Sequence, residues 1–203
     1  MPRPRFHRRK EDRPAEITAA AMQAFAENGY AATRVEEVAR RAGVSKGLLY
    51  LYFKTKEDLF KAVVRNFISP RLDSLIGSID RSQLPAEEFL RGPFLDFAKS
   101  IPRSPAARLV RLMIAEGPKH PDLVAWYWDK VVSQGLGAIR SVIEHGVRNG
   151  EFRRSALDDF PQLLVSPIIL SILWTELFAK HAPLDIDGFL EGHINLVLDA
   201  IKA

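Results

Sequence analysis

Apolar residues recur along this chain at intervals of three and four from one end to the other, and nowhere alternate in the strict two-residue rhythm of a strand. Ile17, Ala21, Met22 and Phe25 form the first amphipathic stripe, with Pro14 at its start and Gly29 at its end. Val35, Val38, Ala39 and Ala42 form a second and shorter one, and Leu49 with Phe53 a third. Leu59, Phe60, Val63, Val64 and Phe67 form a fourth, interrupted at Ser69-Pro70. Beyond that point Pro and Gly punctuate helical segments at 71–80, 86–100, 105–116, 121–148, 156–180 and 185–202. No repeat of fixed period is present. The pattern predicts an all-α protein of about nine helices.

Residues 33–59, TRVEEVARRAGVSKGLLYLYFKTKEDL, organise the rest. Thr33 suits a helix N-cap, and Glu36 three positions on would complete a capping box. Gly43 can take a positive φ where that helix ends, Val44 can plug the angle, and Ser45 can cap the next helix. Helix, short glycine turn and helix make a helix-turn-helix. At about 100° per residue, Leu49 and Phe53 face inward. Gly47 and Leu51 then point outward, flanked by Leu48 and Tyr50. That face is too apolar for a merely solvated surface. Lys46, Lys54 and Lys56 ring it with positive charge, as phosphate neighbours require. Thr55 and Asp58 read as a further cap, which puts Lys56 in the first turn of a helix whose dipole opposes it. A phosphate bound there would remove the conflict.

Charge placement agrees. The net charge of +4 divides into +6 over residues 1–68 (14 Lys or Arg, 8 Asp or Glu) and −2 beyond (15 and 17). A basic front on a faintly acidic body fits nucleic acid at one end. Residues 1–13 hold Arg3, Arg5, Arg8, Arg9, Lys10 and Arg13, and read as a flexible basic arm that either follows DNA or is solvated. There is no cysteine. The apolar run at 163–174 is broken by Ser166, Pro167 and Ser171 and falls short of the roughly 20 residues a membrane span needs. The basic start lacks the apolar core of a secretory signal, so a cytoplasmic location with no membrane contact is expected.

GVSKGLLYLYFKTKEDL, preceded by TRVEEVARRA and AAAMQAFAENGYAAT, resembles the DNA-binding domain of the tetracycline-repressor (TetR) family of transcription regulators. The resemblance covers about the first third of the chain. It implies a three-helix DNA-binding domain over residues 14–60 and a helical ligand-binding and dimerisation domain over 61–203. It implies double-stranded DNA, an unknown small-molecule ligand and a second copy of the chain as partners. The DNA-contacting set it implies is Thr33, Arg34, Ser45, Lys46, Gly47, Leu48, Tyr50, Leu51, Tyr52 and Lys56. Family members usually carry a small polar residue at position 48 and an aromatic or His at 51 or 52. Leu48 and Leu51 cannot hydrogen-bond a base, so thymine methyl groups or sugar are their expected contacts, with Lys46 and the tyrosines on phosphate.

In the body, Phe89, Phe94, Phe97, Met113, Trp126, Tyr127 and Trp174 offer more bulky apolar surface than a minimal core needs, and are the expected lining of a ligand pocket. Glu116 breaks the apolar face of 105–116 at a helix C-terminus. It either turns outward, pairs with an Arg, or places a polar group in that pocket. Segment 156–180 is apolar all round and must be buried all round, against core on one side and a partner subunit on another. Leu163, Ile169, Leu173 and Leu177 there, with Ile194 and Leu198 in the last segment, are the expected dimer interface. No histidine has a second ligand at metal spacing, Gly135-Leu136-Gly137 lacks the rest of a dinucleotide fingerprint, and no nucleophile–base pair stands out. The expected function is that of a ligand-released repressor on a near-palindromic operator, without cofactor or enzymatic activity. The alternatives are an activator or ligand-independent regulator of the same fold, or a helical protein-interaction module.

Overall fold

The computed structural model describes residues 13–81 and 84–203. Apart from Arg13, the basic arm lies outside them. The described residues are helical save for connecting turns and one isolated bridge between Phe152 and Lys202. They divide into two compact units, one ending at Phe67 and one beginning at Ile68.

The first unit holds α1 (Arg13–Ala32), α2 (Val35–Arg41), α3 (Lys46–Tyr52) and α4 (Lys56–Phe67). Their apolar stripes converge: Ile17, Ala21 and Ala24 of α1 are buried with Val38 of α2, Leu49 of α3 and Leu59, Phe60, Val63 and Val64 of α4. Phe25, Tyr30 and Phe60 form a ring triad with centroids 5.5–5.6 Å apart, one pair stacked and two edge-on. Such pairs add about 0.5–1.5 kcal/mol each beyond the area they bury. Gly29 (φ 80°, ψ 169°) breaks α1 where the sequence ends it, and Gly43 (φ 66°) makes the tight turn after α2. The boundary falls at Phe67 rather than residue 60, because Val63 and Val64 belong to this core and Asn66 donates to Thr18 Oγ1 at 2.7 Å.

The second unit runs through α5 (Ser69–Arg81), α6 (Ala86–Phe89), α7 (Leu95–Ser100), α8 (Pro105–Glu116), α9 (Pro121–Tyr127), α10 (Ser133–Arg148), α11 (Ala156–Asp159), α12 (Gln162–Leu177) and α13 (Ile186–Ile201). A wide π turn at Leu90–Phe94 joins α6 to α7 and carries Pro93, which has no N–H for the regular ladder. A second π turn, Trp128–Val132, joins α9 to α10. The expected single helix over 156–180 is two. Ser155 and Asp158 build a capping box for α11, and Pro161 then stops it and starts α12. The core takes Phe89, Leu90 and Phe94 from the α6–α7 segment, Leu109 from α8, Ile143 from α10, Leu164, Ile168 and Ile172 from α12, and Leu190, Ile194 and Leu198 from α13. Arg153 closes the layer, its backbone N–H donating to Ile201 O at 2.8 Å and its guanidinium to Ala200 O.

Candidate nucleic-acid interface

The helix-turn-helix has the geometry its residues dictate. Ser45 Oγ accepts from Leu48 N–H at 3.1 Å and starts α3. Leu49 and Phe53 are buried, so the opposite side of α3 is turned to solvent. Leu51 is 66% exposed and Tyr50 is exposed beside it. A Cβ at Gly47 would meet open space. Leu48 and Tyr52 are half-buried on the flanks, and Arg34 is exposed at the entry to α2. Lys46 Nζ lies 2.5 Å from Glu36 Oε1 and 5.8 Å from the Tyr50 ring centroid. The hydrogen bond between them, reinforced by opposite charge, pulls the Glu36 carboxyl below the usual range and pushes the Lys46 ammonium up. Arg41 braces α2 to α1 by pairing with Glu27 at 2.7 Å and Glu37 at 2.5 Å.

Two expected DNA contacts are turned inward. Thr33 is 2% exposed, and its hydroxyl donates to Ala24 O at 3.1 Å and Gly29 O at 2.6 Å. The kink at Gly29 frees carbonyls at the end of α1, and the hydroxyl serves them instead of capping α2. The N-cap of α2 is Arg34, with no side-chain cap, and Glu36 reaches Lys46 rather than the cap position. Lys56 is the second. Its ammonium donates to Tyr30 O at 2.8 Å, Ala31 O at 2.9 Å and Thr33 O at 3.3 Å, and sits 4.8 Å from the Tyr30 ring centroid. The dipole conflict at the start of α4 is met by the carbonyl end of α1, where a cation is favoured. Thr55 and Asp58 cap each other's N–H groups as the sequence implies, at 3.0–3.1 Å.

In the second unit, a cavity of about 440 Å³ opens between α5 and the α7 segment. Arg71, Ser74, Leu75 and Ser78 line one wall, and Pro93, Asp96, Phe97 and Ser100 the other. Ser78 and Ser100, both in the lining, donate to Leu75 O and Phe97 O, so their hydroxyl oxygens keep acceptor capacity. Of the expected pocket residues, Phe97 lines this space. Phe89 and Phe94 are core, sealed on every side. Trp174 is committed elsewhere: its indole N–H donates to Ala182 O at 2.7 Å and its ring meets Phe178 edge-on at 5.2 Å. Met113 and Glu116 on α8 and Trp126 and Tyr127 on α9 are half-buried and are not among the residues lining it. Burial pushes the Tyr127 phenol up to about 12. The sequence reading missed the α5 wall because it weighed aromatic content; Arg71, Leu75 and Ser78, at intervals of four and three, were the available signal. No group of His, Asp or Glu among the described residues could hold a metal ion.

Residues 17–63 match the family profile described as bacterial regulatory proteins, tetR family, and residues 90–189 match that of the tetracyclin repressor-like C-terminal domain. The chain belongs to the TetR family. It is 46% identical over 65 residues to the fatty acid metabolism regulator protein of Bacillus subtilis, a match that spans 29% of this chain and 34% of that relative. It is 26% identical over 203 residues to the HTH-type transcriptional repressor KstR2 of Rhodococcus jostii, covering 96% of this chain and 93% of the relative. The crystal structure of the transcriptional regulator FadR from Bacillus subtilis in complex with stearoyl-CoA superposes with a TM-score of 0.73 at 19% identity, over 92% of this chain and 98% of that one. That likeness shows a shared fold.

Within this TetR-family body, the apolar face of α12 is only partly covered. Leu163, Leu170 and Leu177 recur at seven-residue spacing, all exposed, and Phe178, just past the end of the helix, is exposed as well. Leu196 of α13 is 72% exposed. Ile169 and Leu173 are half-buried beside the stripe. Ile194 and Leu198, expected at a subunit contact, are 3% and 1% exposed within the single chain and hold α13 to its own protomer. Among the described residues no helix is long and apolar enough to cross a membrane.

Proposed function

We propose that the chain is a cytoplasmic, non-enzymatic repressor that binds a near-palindromic operator as a homodimer and leaves it when a small amphipathic molecule enters the body. One observation carries the DNA reading: the outward face of α3 presents Leu51, Tyr50 and the bare backbone at Gly47, next to Lys46. A solvated helix has no use for such a face, whereas a major groove offers thymine methyl groups to the leucine and phosphates to the rim. The relatives named as repressor and as fatty acid regulator support this reading. Arg34, Ser45, Lys46, Gly47, Leu48, Tyr50, Leu51 and Tyr52 form the proposed contact surface. Selection of duplexes from random DNA tests it. A consensus of two inverted half-sites, bound with an affinity that falls steeply with salt, is the expected result. Binding that ignores salt would point to a protein-interaction module instead.

The exposed stripe of α12, with Leu196 of α13, is the proposed dimer face, because a seven-residue leucine repeat on one helix suits a partner helix. The α5–α7 cavity is the proposed ligand site. Phe97, Leu75 and Pro93 would hold an apolar part, and Arg71, Asp96 and the serine oxygens a polar head. Stearoyl-CoA is a rational first probe, given its complex with a protein of this fold. It should raise the melting temperature and release operator DNA, and Phe97→Ala should weaken both effects while keeping DNA binding.

A further inference from the structure

Glu36 is an acid in the wrong place for a DNA-binding surface. It is exposed in the first turn of α2, on the side shared with α3, and its carboxylate is held by Lys46, the first residue of α3. Both side chains remain more than half exposed, at 54% and 56%. An ion pair that open is weak and readily exchanged, so a phosphate can compete for the ammonium. The exchange has a consequence for the acid. Once Lys46 turns to a phosphate, Glu36 loses its ion-pair partner and keeps only its own backbone N–H and the more distant charge of Arg34, as a negative group beside the DNA backbone, where like charges repel.

We propose that Glu36 is a specificity-determining residue that withholds Lys46 from phosphate on arbitrary DNA and releases it on the operator. The inference rests on the reading of α2 and α3 as the DNA-contacting surface. On arbitrary sequence, docking leaves either Lys46 bound to Glu36 or Glu36 stranded, and both lower affinity. On the operator, the carboxylate accepts a hydrogen bond from an exocyclic amino group at a base edge, cytosine N4 being the usual partner of Glu in the major groove. Lys46 is then free for the backbone. The tyrosine beneath it, Tyr50, keeps the ammonium on this side of the helix after the carboxylate lets go. The acid thus lowers binding to all DNA and lowers it least where its own acceptor is satisfied.

The test compares wild type, Glu36→Gln, Lys46→Ala and the double variant on the selected operator and on a scrambled duplex, across a salt series. Glu36→Gln should raise affinity for the scrambled duplex by about twofold to fivefold and steepen its salt slope by about 0.9 of a unit, the signature of one gained phosphate contact. Operator affinity should rise less or fall, so the ratio of specific to non-specific binding drops. In the Lys46→Ala background the same substitution should give a smaller gain and leave the salt slope unchanged, because it relieves the repulsion of the carboxylate but no lysine remains to release. Unchanged scrambled-duplex affinity, an unchanged ratio, or an undiminished gain without Lys46 would each overturn the proposal. Failure of the underlying reading shows separately, as a wild type that selects no duplex or binds without salt dependence.

Discussion

Lys56 illustrates how a single ammonium can be claimed by two helix ends. It stands in the first turn of α4, yet its three donors point at Tyr30, Ala31 and Thr33, the carbonyls left open where α1 ends. A charged donor shared among such groups is worth more than one neutral hydrogen bond. Lys56→Ala should therefore lower the stability of the DNA head by about 1–2 kcal/mol, read by thermal or urea unfolding, and leave the salt slope of DNA binding intact. A flattening of that slope by about 0.9 of a unit would mean that the ammonium reaches phosphate after all. Leu51 offers the contrasting case. It supports nothing inside the protein, being 66% exposed. Leu51→Ala should leave the melting temperature alone and change base preference at one operator position, by about 1 kcal/mol.

At the level of elements, what was legible in the sequence was what is local. Ser45, Gly43 and the Leu49/Phe53 stripe specify α3 and its orientation within a few residues, so the turn and its outward face could be read directly. Thr33 could not, because its hydroxyl answers carbonyls that exist only once Gly29 has kinked α1. The pairing of Glu36 with Lys46 was hidden for a similar reason: it crosses the turn, and an equally plausible local role was at hand. In α12 the difficulty is different. A helix apolar on every side carries no periodicity from which to choose its inner face, so Leu163 and Leu177 read the same as Ile168. Long-range packing also hides in small residues. A Cβ on Gly146 of α10 would stand 2.3 Å from the Phe152 ring and 2.9 Å from Ala86 Cβ. Since Phe152 is buried and held by backbone pairing to Lys202, the ring has little room to yield. Gly146→Ala should destabilise the body by about 1–3 kcal/mol, despite the better helix propensity of Ala, in equilibrium unfolding of the second unit.

For the molecule as a whole, the single-chain burial pattern separates two kinds of leucine. Leu177→Glu should convert a sedimenting dimer to a monomer that keeps its far-UV circular dichroism, since that side chain is 61% exposed. Leu198→Glu should instead unfold the body, because it puts a charge where the chain has its own core. A wild type that sediments as a monomer at micromolar concentration would remove the α12 stripe from the interface. Read as the proposed dimer face, the uncovered stripe would also make the number of copies in the cell a variable of the response. If pairing is what hides Leu163, Leu170 and Leu177, every doubling of a dilute protomer pool quadruples its dimers, and the melting temperature climbs with concentration by mass action. Occupancy of a two-fold operator then follows the square of the supply, so modest changes in synthesis of this chain become sharp changes at the DNA.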